Sequence, residues 1–379
     1  MQQLQVRLKA RDDRYEIKIA RGLLEDAGSE IRKTLGNQTR QIAVISNEKV
    51  FGLFGARTVS SLRANDFTIT QCFVGDGERF KSLSTVHKTL LFLSESGVQR
   101  TDAVVALGGG VVGDLAGFAA ATYLRGISFI QIPTTLIAQV DAAIGGKTGV
   151  NLPHGKNLVG AFHQPRLVLI DTETLTTLPA RELTSGWCEV IKQGAVGSRT
   201  LFNQTTNFLE TLAGKRDTLV STEMEELIRS HCAFKASIVS GDEREAPDRN
   251  DHRSRRILNF GHTTGHAVEA ATSYRRFRHG EAVGHGMLVA GEISKNLGLL
   301  AASELELLRH GVRLCGPLPS ASDLDDGAII SFLGRDKKIV AGRLNWVLLE
   351  RIGRACIVDG REITPRLLRE SIRAGLKTK

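Results

Sequence analysis

The hydrophobic pattern of the chain changes character near its middle. In the first half, short unbroken apolar runs recur: QIAVIS (41–46), FTITQCFV (67–74), AVVALG (103–108), FIQIP (129–133) and RLVLID (166–171). They are rich in β-branched residues and too short for helices, as buried strands are. Between them, 48–64 and 82–96 carry apolar residues at helical spacing. Strands alternating with helices predict a mostly parallel sheet covered on both faces, with ligands at the carboxyl ends of its strands.

Beyond about residue 180 the strand-like runs give way to helical patterns over 181–197, 200–212, 221–240, 262–272, 280–298 and 303–311. A β-like patch, LNWVLL (344–349), and a basic helix from Pro365 close the chain. The change falls in LTTLPAREL (175–183), where Pro179 precedes a helix start. The pattern therefore predicts an α/β domain over 1–180 and a mainly α-helical domain over 181–379, and 379 residues suffice for both. Internal repeats and low-complexity tracts are absent from the sequence.

Composition narrows the classes. An apolar fraction of 41% supports a real core and excludes a disordered chain. The net charge of +9 is concentrated: residues 244–278 hold eight Arg against four acids, and 361–379 hold six Lys/Arg against two Glu. A nucleic-acid binder needs aromatics for stacking along such a stripe. Phe260, Tyr274 and Phe277 lie in the first window and none in the second, so no nucleic-acid partner is expected. The five cysteines are scattered and never form CxxC, which argues against a disulfide framework or a thiolate zinc site. The N-terminal stretch has no apolar signal region, and the most apolar segment, 103–124, holds Asp114 and five glycines. A soluble, cytoplasmic protein without a membrane partner is the expectation.

Three segments carry candidate chemistry. GGGVVGDLAG (108–117) follows a buried-looking strand, and Gly108, Gly110 and Gly113 satisfy GxGxxG. Such a turn lets backbone N–H groups and a helix N-terminus approach a pyrophosphate, although the expected acid about 20 residues on is missing. In QVDAAIGGKTGVNLPHGKNLVGAF (139–162), Asp141, Lys147, Lys156 and Asn157 sit among glycines, a setting suited to phosphate oxygens. GERFKS (77–82) is a weaker version of the same idea and, alone, reads as a turn. The third is a metal case. Glu189 and Lys192 share a helix face, His262 and His266 stand four apart ahead of Glu269, and His279 opens the next helix. Two histidines with a carboxylate from elsewhere can hold zinc with an open position. Thr263 occupies the glutamate position of HExxH, so a zincin protease is not expected, and spacing alone leaves open which two histidines bind. The arginine-rich stretch 242–260 reads mainly as a solvated loop, with at least one arginine able to reach an anionic substrate.

The blocks GGGVVGDLAGFAAATYLRG, IPTTLIAQVDAAIGGKTGVN, GKNLVGAFHQP, LPARELTSGWCEVIKQG, LNFGHTTGHAVE, HGEAVGHGM and RDKK, in this order, together resemble the 3-dehydroquinate synthase family of sugar-phosphate cyclases. The resemblance implies a Rossmann-like NAD-binding domain followed by an α-helical metal-binding domain, with the active site between them. It implies Glu189, His262 and His279 as ligands of one divalent ion, zinc or cobalt. It places Arg125, Asp141, Lys147, Asn157, Lys192, Lys235, Arg255, Asn259, His266 and one of Lys337 and Lys338 at the substrate, with His266, Lys192, Lys147, Asn157 and Asn259 catalytic. Arg125 corresponds to an arginine lent to the neighbouring subunit of a homodimer. NAD contacts are implied for Asp76, Gly77, Glu78, Arg79, Phe80, Lys81, Gly109, Gly110, Val111, Asp114, Thr134, Thr135, Lys147, Lys156, Thr174, Leu175, Thr176 and Thr177.

The implied reaction is a carbon–oxygen lyase step of the shikimate pathway. It turns 3-deoxy-D-arabino-heptulosonate 7-phosphate into 3-dehydroquinate and phosphate through transient oxidation, elimination, reduction, ring opening and aldol closure. The alternatives are a valiolone-type or 2-deoxy-scyllo-inosose synthase and a metal-dependent NAD polyol dehydrogenase. The chain departs from the family pattern in a longer, more basic loop at 246–254 and in Cys188, where a small alanine is common.

Overall fold

The computed structural model describes residues 14–377 except 154, 213, 334–338 and 341–342. The first half contains β1 (Glu16–Ala20), α1 (Ala27–Leu35), β2 (Gln41–Ser46), α2 (Glu48–Arg63), β3 (Thr68–Phe73), α3 (Leu83–Glu95), β4 (Ala103–Gly108), α4 (Gly110–Thr122) and β5 (Ser128–Pro133). A hairpin of β6 (Lys147–Leu152) and β7 (Gly155–Phe162) precedes β8 (Leu167–Asp171). Six strands form one parallel sheet in the order β1-β8-β5-β4-β2-β3. From β2 the chain steps outward to β3, then returns to β4 on the other side. The strand order therefore switches between β2 and β4, which opens a crevice beyond their carboxyl ends.

Alternation along the buried strands divides the core. On β4, Ala103, Val105 and Leu107 pack with α1 and α2, whereas Val104 and Ala106 face the cluster built with α3 and α4. On β8, Val168 and Ile170 instead join the large core of the second half, together with partly buried Ile17 and Ile19 of β1. The helical half thus covers one edge of the sheet, and its position relative to the strand ends is fixed by packing.

The second half contains α5 (Ala180–Gly197), α6 (Arg199–Leu212), α7 (Thr222–Gly241), α8 (His262–Ala271), α9 (His279–Asn296), α10 (Ala302–Leu314) and α11 (Asp326–Leu333). An antiparallel group of β9 (Ile339–Val340), β10 (Arg343–Arg351) and β11 (Arg354–Asp359) leads to α12 (Pro365–Leu376). The five predicted strands of the first half and the six predicted helices of the second are all present. The sequence pattern did not reveal β1, α1, the β6–β7 hairpin, α11, β9 and β11. Among the described residues, no helix is long and apolar enough to cross a membrane.

Candidate active site

Most of the residues implied for the cofactor follow the carboxyl ends of strands: 76–81 after β3, 109–114 after β4, 134–135 after β5 and 174–177 after β8. Gly109 is the N-cap of α4 and brings no side-chain cap, so the first N–H groups of that helix point to the crevice with their intrahelical partners missing. Lys81, buried at the end of its turn, donates to Asp114 Oδ2 at 2.5 Å and to Asn157, so it ties the turn, α4 and the hairpin together. Asn157 has φ +52° and its N–H donates to Asn151 Oδ1 at 2.8 Å, and Asn151 in turn donates to Glu78 Oε1 at 2.8 Å. In the last segment, Thr174 and Leu175 are fully buried, while Thr176 is half-buried and Thr177 exposed.

The metal candidates meet because three helices start or pass close together. Gly280, at the start of α9, abuts α5: a Cβ there would stand 1.9 Å from Ser185 O. This approach, with the Gly280 N–H donating to Ser185 Oγ at 2.9 Å, brings His279 beside Glu189. His279 Nε2 and His262 Nε2 lie 3.6 and 3.7 Å from Glu189 Oε1. Ligand atoms of Glu189, His262 and His279 all fall within 4.8 Å of one another. The outer nitrogens of both rings are engaged elsewhere: His262 Nδ1 with Phe260 O at 3.2 Å and His279 Nδ1 with Glu269 Oε2 at 3.3 Å. Nδ1–H donors at those positions leave the Nε2 lone pairs directed at Glu189. Glu189 is itself fully buried, and among the described residues its Oε1, the oxygen the two histidines face, receives no hydrogen bond. Lys192 Nζ forms an ion pair with Oε2 at 2.5 Å, one turn along the same helix. Lys192 balances one side of this buried carboxylate, and the two ring nitrogens gather at the other oxygen, where a cation would be shared. The donor set therefore fits a divalent ion with N₂O ligation and an open side.

Beside this triad lies a lysine–carboxylate group. Lys235 of α7 donates to Asp141 Oδ1 at 2.6 Å and also to its carbonyl. Burial presses Lys235 below the ordinary lysine value, with Asp141 partly offsetting it. Burial would raise Asp141, but Lys235 and Lys192 outweigh it and hold that carboxyl well below its usual range. Lys192 is 1% exposed; burial opposes its charge, yet Glu189 and Asp141 raise its pKa above the usual value. His266 joins from the next turn of α8, its ring centroid 5.5 Å from that of His262 and 5.8 Å from that of His279.

Lys147 at the mouth pairs with Glu245, whose other oxygen accepts from Asn259 Nδ2 at 2.7 Å. Glu245, with φ +55°, thus carries an anion between two residues implied for the substrate. Arg255 is 2% exposed and spends its guanidinium on the carbonyls of Glu243 and, at 3.0 Å, Gly145. Arg125 stands apart. It is exposed at the far end of α4, with φ +66°, and the 13 residues of that helix place it about 20 Å from the glycine turn. Lys337 and Lys338 lie outside the described residues.

Glu269 and Glu245 were not assigned roles from the sequence. Glu269 had a legible signal, standing seven residues after His262 on the same helical face. Glu245 had none, being embedded among loop arginines.

The family model described as the N-terminal part of 3-dehydroquinate synthase matches residues 71–185, and the one for its C-terminal part matches 186–339. The chain belongs to the 3-dehydroquinate synthase family. A 3-dehydroquinate synthase of Nostoc punctiforme is 42% identical over 362 residues, covering 94% of this chain and 95% of its own. That of Pelotomaculum thermopropionicum is 43% identical, covering 95% and 94%. Among solved structures, 2-epi-5-epi-valiolone synthase from Streptomyces hygroscopicus, with NAD⁺ and Zn²⁺ bound, is similar at TM-score 0.85 and 28% identity, covering 97% and 98% of the two chains. A 2-deoxy-scyllo-inosose synthase complexed with carbaglucose-6-phosphate, NAD⁺ and Co²⁺ gives 0.82 and 27%, covering 96% and 98%. The higher identity lies with the 3-dehydroquinate synthases, so the other cyclase activities are not favoured. A glycerol dehydrogenase of Schizosaccharomyces pombe, at 18% identity and TM-score 0.68, shares the fold.

Proposed function

We propose that the enzyme converts 3-deoxy-D-arabino-heptulosonate 7-phosphate to 3-dehydroquinate and inorganic phosphate, a carbon–oxygen lyase reaction dependent on NAD and a divalent ion, zinc or cobalt. The observation that carries this reading is the buried Glu189 carboxylate, paired with Lys192 on one oxygen and faced by two histidines on the other, with the Lys235–Asp141 pair nearby. When bound, NAD⁺ would accept and return a hydride, and the ion held by Glu189, His262 and His279 would polarise substrate hydroxyls.

The chain's own residues do the rest. Lys147, Asn157 and Asn259 suit the phosphate end, with Glu245 at the mouth yielding Lys147 and Asn259 to the incoming anion. Lys235 and Arg255 suit the carboxylate end, and His266 Nε2 or Nδ1 is placed to move a proton beside the metal ligands. Lys192 and Asp141 hold fixed charges where substrate oxygens would lie, which favours the intramolecular closure by orientation. In this reading 1–180 serves the cofactor, 181–379 the metal, and a cytoplasmic homodimer supplies Arg125 to the neighbouring site.

The deciding assay follows phosphate release from the heptulosonate phosphate, with and without chelator and NAD⁺. Release that needs both, without accumulation of reduced nicotinamide, is expected; accumulation would indicate a polyol dehydrogenase. Absence of release under every condition overturns the assignment.

A further inference from the structure

Glu269 has no part in the chemistry just described, yet its carboxylate is 3% exposed and joins the two halves of the site. Its Oε2 accepts from His279 Nδ1 at 3.3 Å, while its Oε1 accepts from Lys156 Nζ at 2.8 Å. His279 is a proposed metal ligand on α9, and Lys156 is a proposed cofactor contact on β7. The segment after α8 adds a second hold on that lysine: the Tyr274 ring lies 4.8 Å from Lys156 Nζ. Ser273 and Tyr274 have φ of 52° and 58°, and the Tyr274 N–H donates to Glu269 O at 2.8 Å. Two consecutive non-glycine residues in the left-handed region persist only where surrounding contacts impose them. The turn therefore presents carboxylate and ring to Lys156 as one built unit.

We infer that Glu269 couples cofactor binding to metal binding through the chain Lys156–Glu269–His279. The inference rests on the functional reading above. A carboxylate on the outer nitrogen of a metal-bound imidazole strengthens that ligand. An ammonium on the same carboxylate competes for its charge and weakens the effect. An anion that draws on Lys156, such as the pyrophosphate of a dinucleotide, relieves the competition. Cofactor and metal then tighten one another by the same factor in either direction.

The test needs no turnover. Zinc affinity is measured by competition with a chromogenic chelator on cofactor-free wild type, Lys156→Met, Glu269→Gln and the double variant. Lys156→Met should tighten zinc roughly threefold to tenfold, and Glu269→Gln should weaken it roughly 10- to 100-fold. With Gln at position 269, Lys156→Met should change zinc affinity by less than about twofold. Saturating NAD⁺ should tighten zinc in the wild type by roughly fivefold. An equal effect of Lys156→Met in both backgrounds, or no effect in either, overturns the link, since the first is only long-range charge. If Glu269→Gln does not fold, Glu269→Asp, with its shorter reach, replaces it in the cycle under the same expectations. Zinc and NAD⁺ that both bind the wild type without affecting each other overturn the coupling alone. A wild type that binds neither overturns the functional reading as well.

Discussion

At the residue scale, histidines of similar appearance in the sequence divide by what lies behind them. His262 and His279 have their outer nitrogens held and their inner ones aimed at Glu189, whereas His266 stands one helical turn along, facing the same space. His262→Ala should therefore lose bound metal and activity together. His266→Ala should keep about one equivalent of metal while phosphate release falls on the order of 100-fold or more, the range of a lost proton-transfer group. Metal analysis of the two purified variants beside the phosphate assay checks this, and equal zinc in wild type and His262→Ala would sink the ligand assignment. The histidine spacing was legible in the sequence because i, i+4 positions share a face. The choice between them was not, because it depends on Phe260 O and Glu269, which only the folded turn brings to the rings.

At the scale of elements, strands were legible where burial on both faces demanded continuous apolar runs, as in AVVALG of β4. The β6–β7 hairpin was not. Its strands carry glycine, lysine and asparagine, and they pair because the backbones approach where a Cβ on Gly160 would meet Thr148 O at 2.0 Å. Helix placement in the second half depends on similar close approaches and on a buried polar chain. Thr205 Oγ1 lies 2.9 Å from His231 Nε2, His231 Nδ1 3.1 Å from Gln193 Oε1, and Gln193 Nε2 donates to Val140 O at 2.9 Å. Because the Gln193 amide donates to a carbonyl, its oxygen accepts from His231 Nδ1–H; burial keeps the ring neutral, so Nε2 takes the Thr205 hydroxyl proton, for which Leu201 O, also at 2.9 Å, competes. This chain joins α6, α7 and α5 to the residue before Asp141. Burial lowers the His231 pKa from 6.5 to about 3, so the unfolded chain takes up a proton that the native one refuses. The stability tied to the neutral ring is complete above pH 6.5 and is lost progressively as pH falls towards 3. Between pH 7 and 5 the wild type should lose about 2 kcal/mol more than His231→Gln. Urea unfolding of both proteins at the two pH values measures the difference, and parallel losses would show that His231 does not titrate in this way. Gly280→Ala tests the neighbouring approach: displaced by a contact of 1.9 Å, α9 should carry His279 away from Glu189, lowering zinc affinity by roughly tenfold or more. Chelator competition on the folded variant reads this, and unchanged affinity would mean that the α5–α9 contact does not set the ligand geometry.

At the scale of the whole molecule, one proposed substrate residue stands at the far end of its helix. The lysines, Asp141, Asn259 and the histidines gather where the strand ends meet the helical half, but Arg125 lies exposed at the opposite end of α4, beside Leu124, which is 41% exposed. The positive φ of both residues shapes a corner that directs this end of the helix outward. The Arg125 guanidinium lies about 20 Å from the glycine turn, away from the cofactor crevice. In the proposed reading, which rests on the resemblance, Arg125 serves the phosphate of a second copy, and two copies would exchange arginines symmetrically. This can be measured without a structure of the dimer. Arg125→Ala should be nearly inactive because its partner subunit lacks the arginine, and Lys192→Met because each subunit lacks its own buried lysine. Unfolding and refolding the two variants together in equal amounts makes about half of the dimers mixed. Each mixed dimer has one site with both groups intact and one with neither. Activity should therefore return to about a quarter of the wild-type value, although each variant refolded alone stays inactive. If the mixture is no more active than the variants apart, Arg125 does not act across the interface, and the phosphate must be held by Lys147, Asn157 and Asn259 without it.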